Sequence, residues 1–300
     1  MRIEAPAKLN LCLFLGPRRE DGLHELCSLF EPLALADSIE VVEAERDEVV
    51  CPGVEGENLA ARALAALREQ GWDAAPLRLE IEKRIPVAAG LGGGSADAAA
   101  VLRLARDRTS GPPGPGAMGI QAPGRAAGAT GPGPDLQAIA AELGADVPSQ
   151  VVPALSLVQG AGERVERLPD PAPHAVVLLP GGGGLSTANV FAEADQLGLG
   201  RDAAKLEDVA DRLREVAGSG ASPLAYAGLL ANDLEPAARS LRPQIGDALD
   251  ALRAAGAPLA LLTGSGPTAV GFFPTLMGAK SAAARLDRDD AIVCEAGRAP

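Results

Sequence analysis

Aromatic side chains are scarce in this 300-residue chain: five Phe, one Trp and one Tyr, about 2% of the residues. A core of this size must therefore be built from Leu, Val, Ile and Ala, and a site that stacks a flat ligand on a ring has few candidates. Lysine is almost as rare. Only Lys8, Lys83, Lys205 and Lys280 interrupt a basic complement that is otherwise arginine. Histidine occurs twice, as His24 and His174, and cysteine four times, as Cys12, Cys27, Cys51 and Cys294. No CxxC pair is present, so a zinc-type cluster is not expected, and the thiols read as reduced groups in a cytoplasmic protein. A basic surface is also missing. The formal charge is -13, which argues against general nucleic-acid binding because such a surface repels phosphate backbones. No apolar run approaches the ~20 residues that span a bilayer. The opening Met1-Arg2-Ile3-Glu4 carries no apolar export signal.

What is present is patterned sequence with one interruption. Residues 8–15 and 39–42 read as strands, 58–70 as a helix with Leu59, Ala63, Leu64 and Leu67 on one stripe, and Leu77–Glu82 as a half-buried strand of alternating character. A helix capped by Ser95 follows. From Thr109 to Pro134 the pattern collapses: eight Gly, six Pro and a single charge, Arg125. This stretch is read as a flexible insertion, tolerated rather than acting as a lid, since closing a longer loop costs little extra entropy. Pattern resumes with a helix over 135–143. Strands are expected at 151–158 and 174–179, helices at 203–216 and 234–255, and short strands at 259–262 and 269–273. Strands and helices mix without a βαβ repeat, which predicts an α+β fold, with a division into residues 1–155 and 156–300.

Of three glycine-rich stretches, one has a strand feeding through glycines directly into a helix: Pro86-Val87-Ala88-Ala89-Gly90-Leu91-Gly92-Gly93-Gly94-Ser95-Ala96. Backbone N–H groups can converge there, and the helix start adds unpaired N–H groups and the positive end of its dipole. No Gly-Lys-Ser/Thr follows, so it is not a Walker A loop, and Ser95 stands where a dinucleotide fingerprint needs a third glycine. On its own the stretch is equally a phosphate cradle or a tight turn. Lys8 opens an apolar strand and reads as a snorkelling lysine or a functional one. Asp146 follows a helix end and His24 follows Asp21-Gly22-Leu23; each taken alone is an ordinary loop residue.

Together the segments are more specific. Pro6-Ala7-Lys8-Leu9-Asn10-Leu11, Gly16 to Arg19, Asp21-Gly22-Leu23-His24-Glu25-Leu26 and Leu29-Phe30 resemble the opening of the 4-diphosphocytidyl-2-C-methyl-D-erythritol kinase family, within the GHMP kinase superfamily. Pro86 to Ala96 resembles its ATP-phosphate loop, and Leu143-Gly144-Ala145-Asp146-Val147-Pro148 its catalytic aspartate segment. Gly160 to Glu163, Asn232-Asp233-Leu234-Glu235 and Leu262-Thr263-Gly264-Ser265-Gly266 fall in the order of the later motifs. The resemblance implies a two-domain α+β fold with the active site in the cleft between domains. It implies ATP with Mg²⁺, and a small-molecule acceptor from the non-mevalonate isoprenoid pathway, phosphorylated on its 2-hydroxyl. Asp146 would take the hydroxyl proton, Lys8 would stabilise the developing charge, and residues 86–96 would hold the phosphates. Asn10, with Gly264, Ser265 and Gly266, would orient the acceptor, His24 would hydrogen-bond the cytosine, and Thr187 and Phe191 would line the base site. A monomer or weak homodimer, away from membranes, is expected.

The chain departs from the family in two places. Leu23 stands where Tyr usually precedes the histidine, and Ser149 and Gln150 replace aromatic residues after Pro148. These departures keep open another GHMP small-molecule kinase, or a nucleotide-binding relative without kinase activity, although retention of both Lys8 and Asp146 argues against the latter.

Overall fold

One long strand organises the fold. A computed structural model describes residues 1–110 and 134–300. In it, β1 (Arg2–Arg18) runs antiparallel along the whole of β2 (His24–Glu43), from Arg2 opposite Glu40 to Arg18 opposite His24. On the other edge of β2, β4 (Leu77–Glu82) pairs with residues 38–43 and β5 (Ser156–Gly160) with residues 26–30. Short strands β3 (Glu48–Val50) and β6 (Arg164–Arg167) extend these two branches. A second stretch of sheet, β10 (Ile292–Ala296), β7 (His174–Leu179), β9 (Ala269–Phe273) and β8 (Leu259–Leu262), meets β2 through a single register pair, Ala296 with Leu33. The pairing is antiparallel throughout except for β3 with β4, so the expected α+β class holds.

The helices follow the sequence pattern where local chemistry marks their ends. Helix α1 (Leu59–Glu69) is capped by Asn58, whose side chain accepts from the Ala60 N–H at 2.8 Å. Helix α2 (Gly93–Ser110) begins two residues before Ser95, and the Gly92 carbonyl accepts from Ala96 at 2.8 Å. Ser95 therefore lies inside the first turn and is not the cap. Residues Ala98 to Leu102 of α2 are all buried, because the helix is enclosed on most sides. The Gly/Pro-rich stretch that follows lies, apart from its ends, outside the described residues. Asp135 caps α3 (Leu136–Leu143) through two backbone N–H groups.

Three expectations need correction. The strand expected at 151–158 starts only at Ser156. The residues before it belong to α4 (Val147–Gln150) and a turn containing Pro153, which has no N–H for a ladder. The single helix expected over 234–255 is two, α7 (Glu235–Leu241) and α8 (Gln244–Ala254). Pro243 disfavours helical geometry at Arg242, which sits at φ -145°, ψ 87°. Strand β1 is twice the expected length because its ends, rich in Ala, Pro and charge, are held by pairing with β2 rather than by strand propensity. Helices α5 (Thr187–Leu197), α6 (Ala203–Gly218) and α9 (Leu276–Ala283) and a 3₁₀ segment (Pro223–Leu229) complete the chain. No helix among the described residues is long and apolar enough to cross a membrane.

The core is aliphatic, as the composition requires. One cluster gathers around Leu9, Leu11, Leu29, Leu79 and Leu102, and a second around Leu15, Val177, Leu249 and Leu262. All four cysteines are free thiols. A polar tie connects the second cluster to β1. Buried Asn232 donates to the carbonyls of Leu262 (2.8 Å) and Gly264 (2.7 Å) and accepts from the Leu234 N–H at 2.9 Å. Next to it, Asp233 accepts from Leu15 N and from Arg201. Asn232→Ala strands two carbonyls and one N–H in the interior, so urea unfolding is expected to show a loss of about 3 kcal/mol; a loss below about 0.5 kcal/mol would show that the tie does not hold the loop.

Candidate active site

The site forms where β1, the start of α2, α4 and the β8–β9 turn converge. Strand β1 carries register irregularities between Pro6 and Lys8 and between Asn10 and Cys12. They bracket Lys8 and Asn10, which share one face of the strand two residues apart. Lys8 is 6% exposed, so its ammonium must find partners inside the protein. It donates to Asn10 Oδ1 at 2.8 Å, lies 3.2 Å from Asp146 Oδ2, and sits 4.5 Å from the centroid of Phe30. Asn10 in turn donates to Ser28 Oγ at 2.9 Å, and its backbone N–H donates to Thr263 Oγ1 at 2.7 Å. This is more than a snorkelling lysine: residues 138 positions apart in sequence meet head to head.

The glycine loop is fixed against the same strand. The Lys8 backbone N–H donates to the Leu91 carbonyl at 3.0 Å. A Cβ at Gly92 would lie 2.8 Å from Gln150 Nε2 and 3.0 Å from Lys8 Cε, and φ is +70° there, so the position accepts only glycine. On the opposite side a Cβ at Gly90 would lie 2.8 Å from the Gly266 carbonyl oxygen, and Thr268 Oγ1 donates to the Ala89 carbonyl at 2.7 Å. The loop lines a cavity of about 300 Å³ with Cys51, Asn58, Lys83 and Asp97.

Ser149 and Gln150, the departures after Pro148, are both buried and hold the aspartate segment in place. Ser149 Oγ donates to the Asp146 carbonyl at 2.8 Å and Gln150 Nε2 donates to the Gly92 carbonyl at 3.1 Å. Arg103 on α2 reaches the Gln150 and Glu4 carbonyls, both at 2.7 Å, tying α4 to β1. Gly162, in the turn after β5, packs directly against the carbonyl of Ala145.

The remaining candidates lie along α5. Thr187, at its start, is 2.9 Å from Ser265 Oγ. Gly264 packs beside Asn10, where a Cβ would lie 3.2 Å from Oδ1. One turn along α5, the Phe191 ring is 5.5 Å from that of His24. One turn further, Asp195 Oδ1 is 2.7 Å from His24 Nε2. Spacing of four residues puts Thr187, Phe191 and Asp195 on one helix face, about 12 Å from end to end. Asp195 was not among the residues expected from sequence, although its i+4 offset from Phe191 was there to be read. His174 belongs elsewhere: it is buried against Glu31, 3.2 Å away.

A second buried charge cluster lies under the cavity. Lys83 contacts Asp37 and lies 2.8 Å from Asp97. Asp37 also accepts from the N–H groups of Arg84 and Ile85. Sequence reading missed this cluster because its members come from β2, the loop after β4, and α2.

The chain is similar to known proteins over most of its length. Residues 58–151 match the family model for the GHMP kinases N terminal domain, and 213–291 that for the GHMP kinases C terminal. A 4-diphosphocytidyl-2-C-methyl-D-erythritol kinase of Streptomyces avermitilis is 37% identical over 89% of this chain and 85% of its own length. The chain belongs to the 4-diphosphocytidyl-2-C-methyl-D-erythritol kinase family of GHMP kinases. A relative of the same name from Thermobifida fusca is 38% identical over 89% of the chain and 84% of its own. A crystal structure of 4-(cytidine 5'-diphospho)-2C-methyl-D-erythritol kinase aligns with a TM-score of 0.77 at 33% identity, covering 99% of this chain and 100% of that one. As a GHMP kinase the protein is an ATP-dependent phosphotransferase with an alcohol as acceptor.

The cavity cluster carries a pH signature. Burial raises the Asp97 carboxyl most; Lys83 pulls it down, Asp37 repels its charge, and the net position is about 7. Lys83 is held above the usual lysine range, burial being outweighed by the two carboxylates. An acid whose folded value lies above its unfolded value binds the extra proton in the folded state. Its stabilising contribution is therefore present at low pH and is lost as pH rises from about 4 to about 7. Asp97→Asn mimics the protonated group. The melting temperature of the variant minus that of the wild type is expected to climb between pH 4.5 and 7 and then level off. A difference independent of pH would place the Asp97 proton elsewhere.

Proposed function

We propose that this chain transfers the γ-phosphoryl group of ATP to the 2-hydroxyl of 4-diphosphocytidyl-2-C-methyl-D-erythritol, a step in the non-mevalonate supply of isoprenoid precursors. The observation that carries the reading is the 3.2 Å pair of Lys8 and Asp146 beside a glycine loop at the start of α2. Phosphoryl transfer asks a protein mainly for positioning and for positive charge where negative charge develops. Asp146, one-third exposed, is the base that accepts the hydroxyl proton and aligns the oxygen with phosphorus. Lys8 stabilises the negative charge that develops as that oxygen attacks. Residues 86–96 hold the phosphates with backbone N–H groups and with the unpaired N–H groups that open α2.

The described residues contain no group of three or more His, Cys, Asp or Glu side chains placed to cage a metal ion. Ser95 lines the cavity and would be the hydroxyl beside an Mg²⁺ ion carried by the triphosphate and water. The ion would supply charge compensation at the phosphate oxygens.

Asn10, Ser265 and the backbone of Gly264 and Gly266 form the acceptor end, with Thr187 beside them. Phe191 supplies the stacking ring for the cytosine and His24 a hydrogen bond at its edge. Leu23, more than half exposed, is the aliphatic wall opposite. The protein works without membrane or nucleic acid, in the cytoplasm, as a monomer or weak homodimer.

Asp146→Asn is expected to lower kcat by roughly 10²–10⁴-fold while leaving KM for ATP within about twofold, measured by ADP release; a near-normal kcat would remove Asp146 from the reaction. Leu23→Tyr adds a second ring to the base site, and KM for the cytidyl substrate is expected to fall about tenfold. An unchanged KM would place the base elsewhere.

A further inference from the structure

The His24 ring meets two side chains of α5. Its side chain is 8% exposed, its Nε2 lies 2.7 Å from Asp195 Oδ1, and its face is 5.5 Å from the Phe191 centroid. No described residue forms a hydrogen bond with Nδ1. An ionised carboxylate can only accept, so in the neutral ring the contact puts the proton on Nε2 and leaves Nδ1 as a bare acceptor. Asp195 is 43% exposed and sits on the same face of α5 as Thr187 and Phe191, so the carboxylate that sets the tautomer and the ring proposed for stacking come from one rigid element. The bases differ in the complement they offer an acceptor. Cytosine presents a 4-amino donor where uracil presents a 4-oxo acceptor.

We infer that Asp195 is a positioning residue that sets pyrimidine choice: by holding the His24 proton on Nε2 it presents Nδ1 as an acceptor, which admits an amino-bearing pyrimidine and repels an oxo-bearing one. The inference rests on the reading that His24 meets the base. Asp195 touches neither base nor phosphate; it acts through the imidazole. Thr187, Phe191 and Asp195 would then divide the work along α5: the first at the acceptor end, the second under the base, the third behind the histidine that reads the base's edge.

The test compares kcat/KM for the diphosphocytidyl substrate and its diphosphouridyl counterpart, by ADP release at pH 8, where imidazole is ordinarily neutral. Wild type, Asp195→Lys, Asp195→Glu and His24→Ala are compared. The lysine donates to Nε2 and drives the proton to Nδ1, whereas glutamate keeps an acceptor in place. Asp195→Lys is expected to cut the cytidyl-over-uridyl preference at least tenfold, and Asp195→Glu to keep it within about threefold of wild type. With only two histidines in the chain, ¹⁵N NMR reads the tautomer directly. Wild-type His24 is expected to carry its proton on Nε2 and the lysine variant on Nδ1, a readout that a merely structural role for Asp195 would not move. An Nδ1 proton in the wild type, or an unchanged preference in Asp195→Lys, overturns the role of Asp195. His24→Ala separates the two layers: unchanged kinetics there would overturn the placement of His24 at the base, whereas a raised cytidyl KM with an unchanged preference in Asp195→Lys would overturn only the part assigned to Asp195.

Discussion

A lysine with 6% of its surface exposed sets the terms for the rest of this molecule. An ammonium group out of water is costly unless its donors are matched, and removing one partner is worse than never having had the pair. Lys8 is matched by Asn10, Asp146 and the Phe30 ring, and each partner needs its own support. Asn10 leans on Ser28 and Thr263. Asp146 rides on a four-residue helix held by Ser149, Gln150 and Arg103. The strand irregularities that aim Lys8 and Asn10 the same way are kept in register by the long pairing with β2. The Lys8–Asp146 pair is the inner end of a chain of satisfied polar contacts.

A second set of buried charges, Asp37, Lys83 and Asp97, sits below the glycine loop and obeys the same rule with a different result. Two carboxylates face one ammonium, so one of them holds its proton more tightly than a free aspartate does. The Lys8 pair has one carboxylate, and Asp146 is one-third exposed. The lower cluster is closed over by α2, where Asp97 is 3% exposed. The difference separates a partly open pair from a group of charges that fixes the floor of a cavity.

Much of this was legible in the residues. Alternation gave Leu77–Glu82 its bounds, and Asn58, Asp135 and Gly144 marked helix ends because capping is local chemistry. The motif resemblance brought Lys8 and Asp146 together when spacing alone left both as ordinary residues. What escaped depended on partners distant in sequence. Ser95 looks like a cap, but α2 already starts at Gly93, and the Gly92 carbonyl accepts from the Ala96 N–H. Strand β1 runs past its apolar stretch because β2 is long enough to pair with it. Asp195 has no meaning until His24 is seen across from it. Gln150, which replaces an aromatic residue of the family pattern, is a strut to Gly92.

The backbone contact between Gly90 and Gly266 has a wider consequence. The loop of the first half is shaped by a carbonyl 176 positions downstream, with the Thr268 hydroxyl bracing it from the same turn. The glycine loop is thus not a module that either half owns. A fragment ending before Thr263 would contain every residue from Pro86 to Ala96 and still lack the surface that gives them their curvature. In a split version of the chain, the shape of the glycine loop would report reassembly of the two pieces rather than folding of the first.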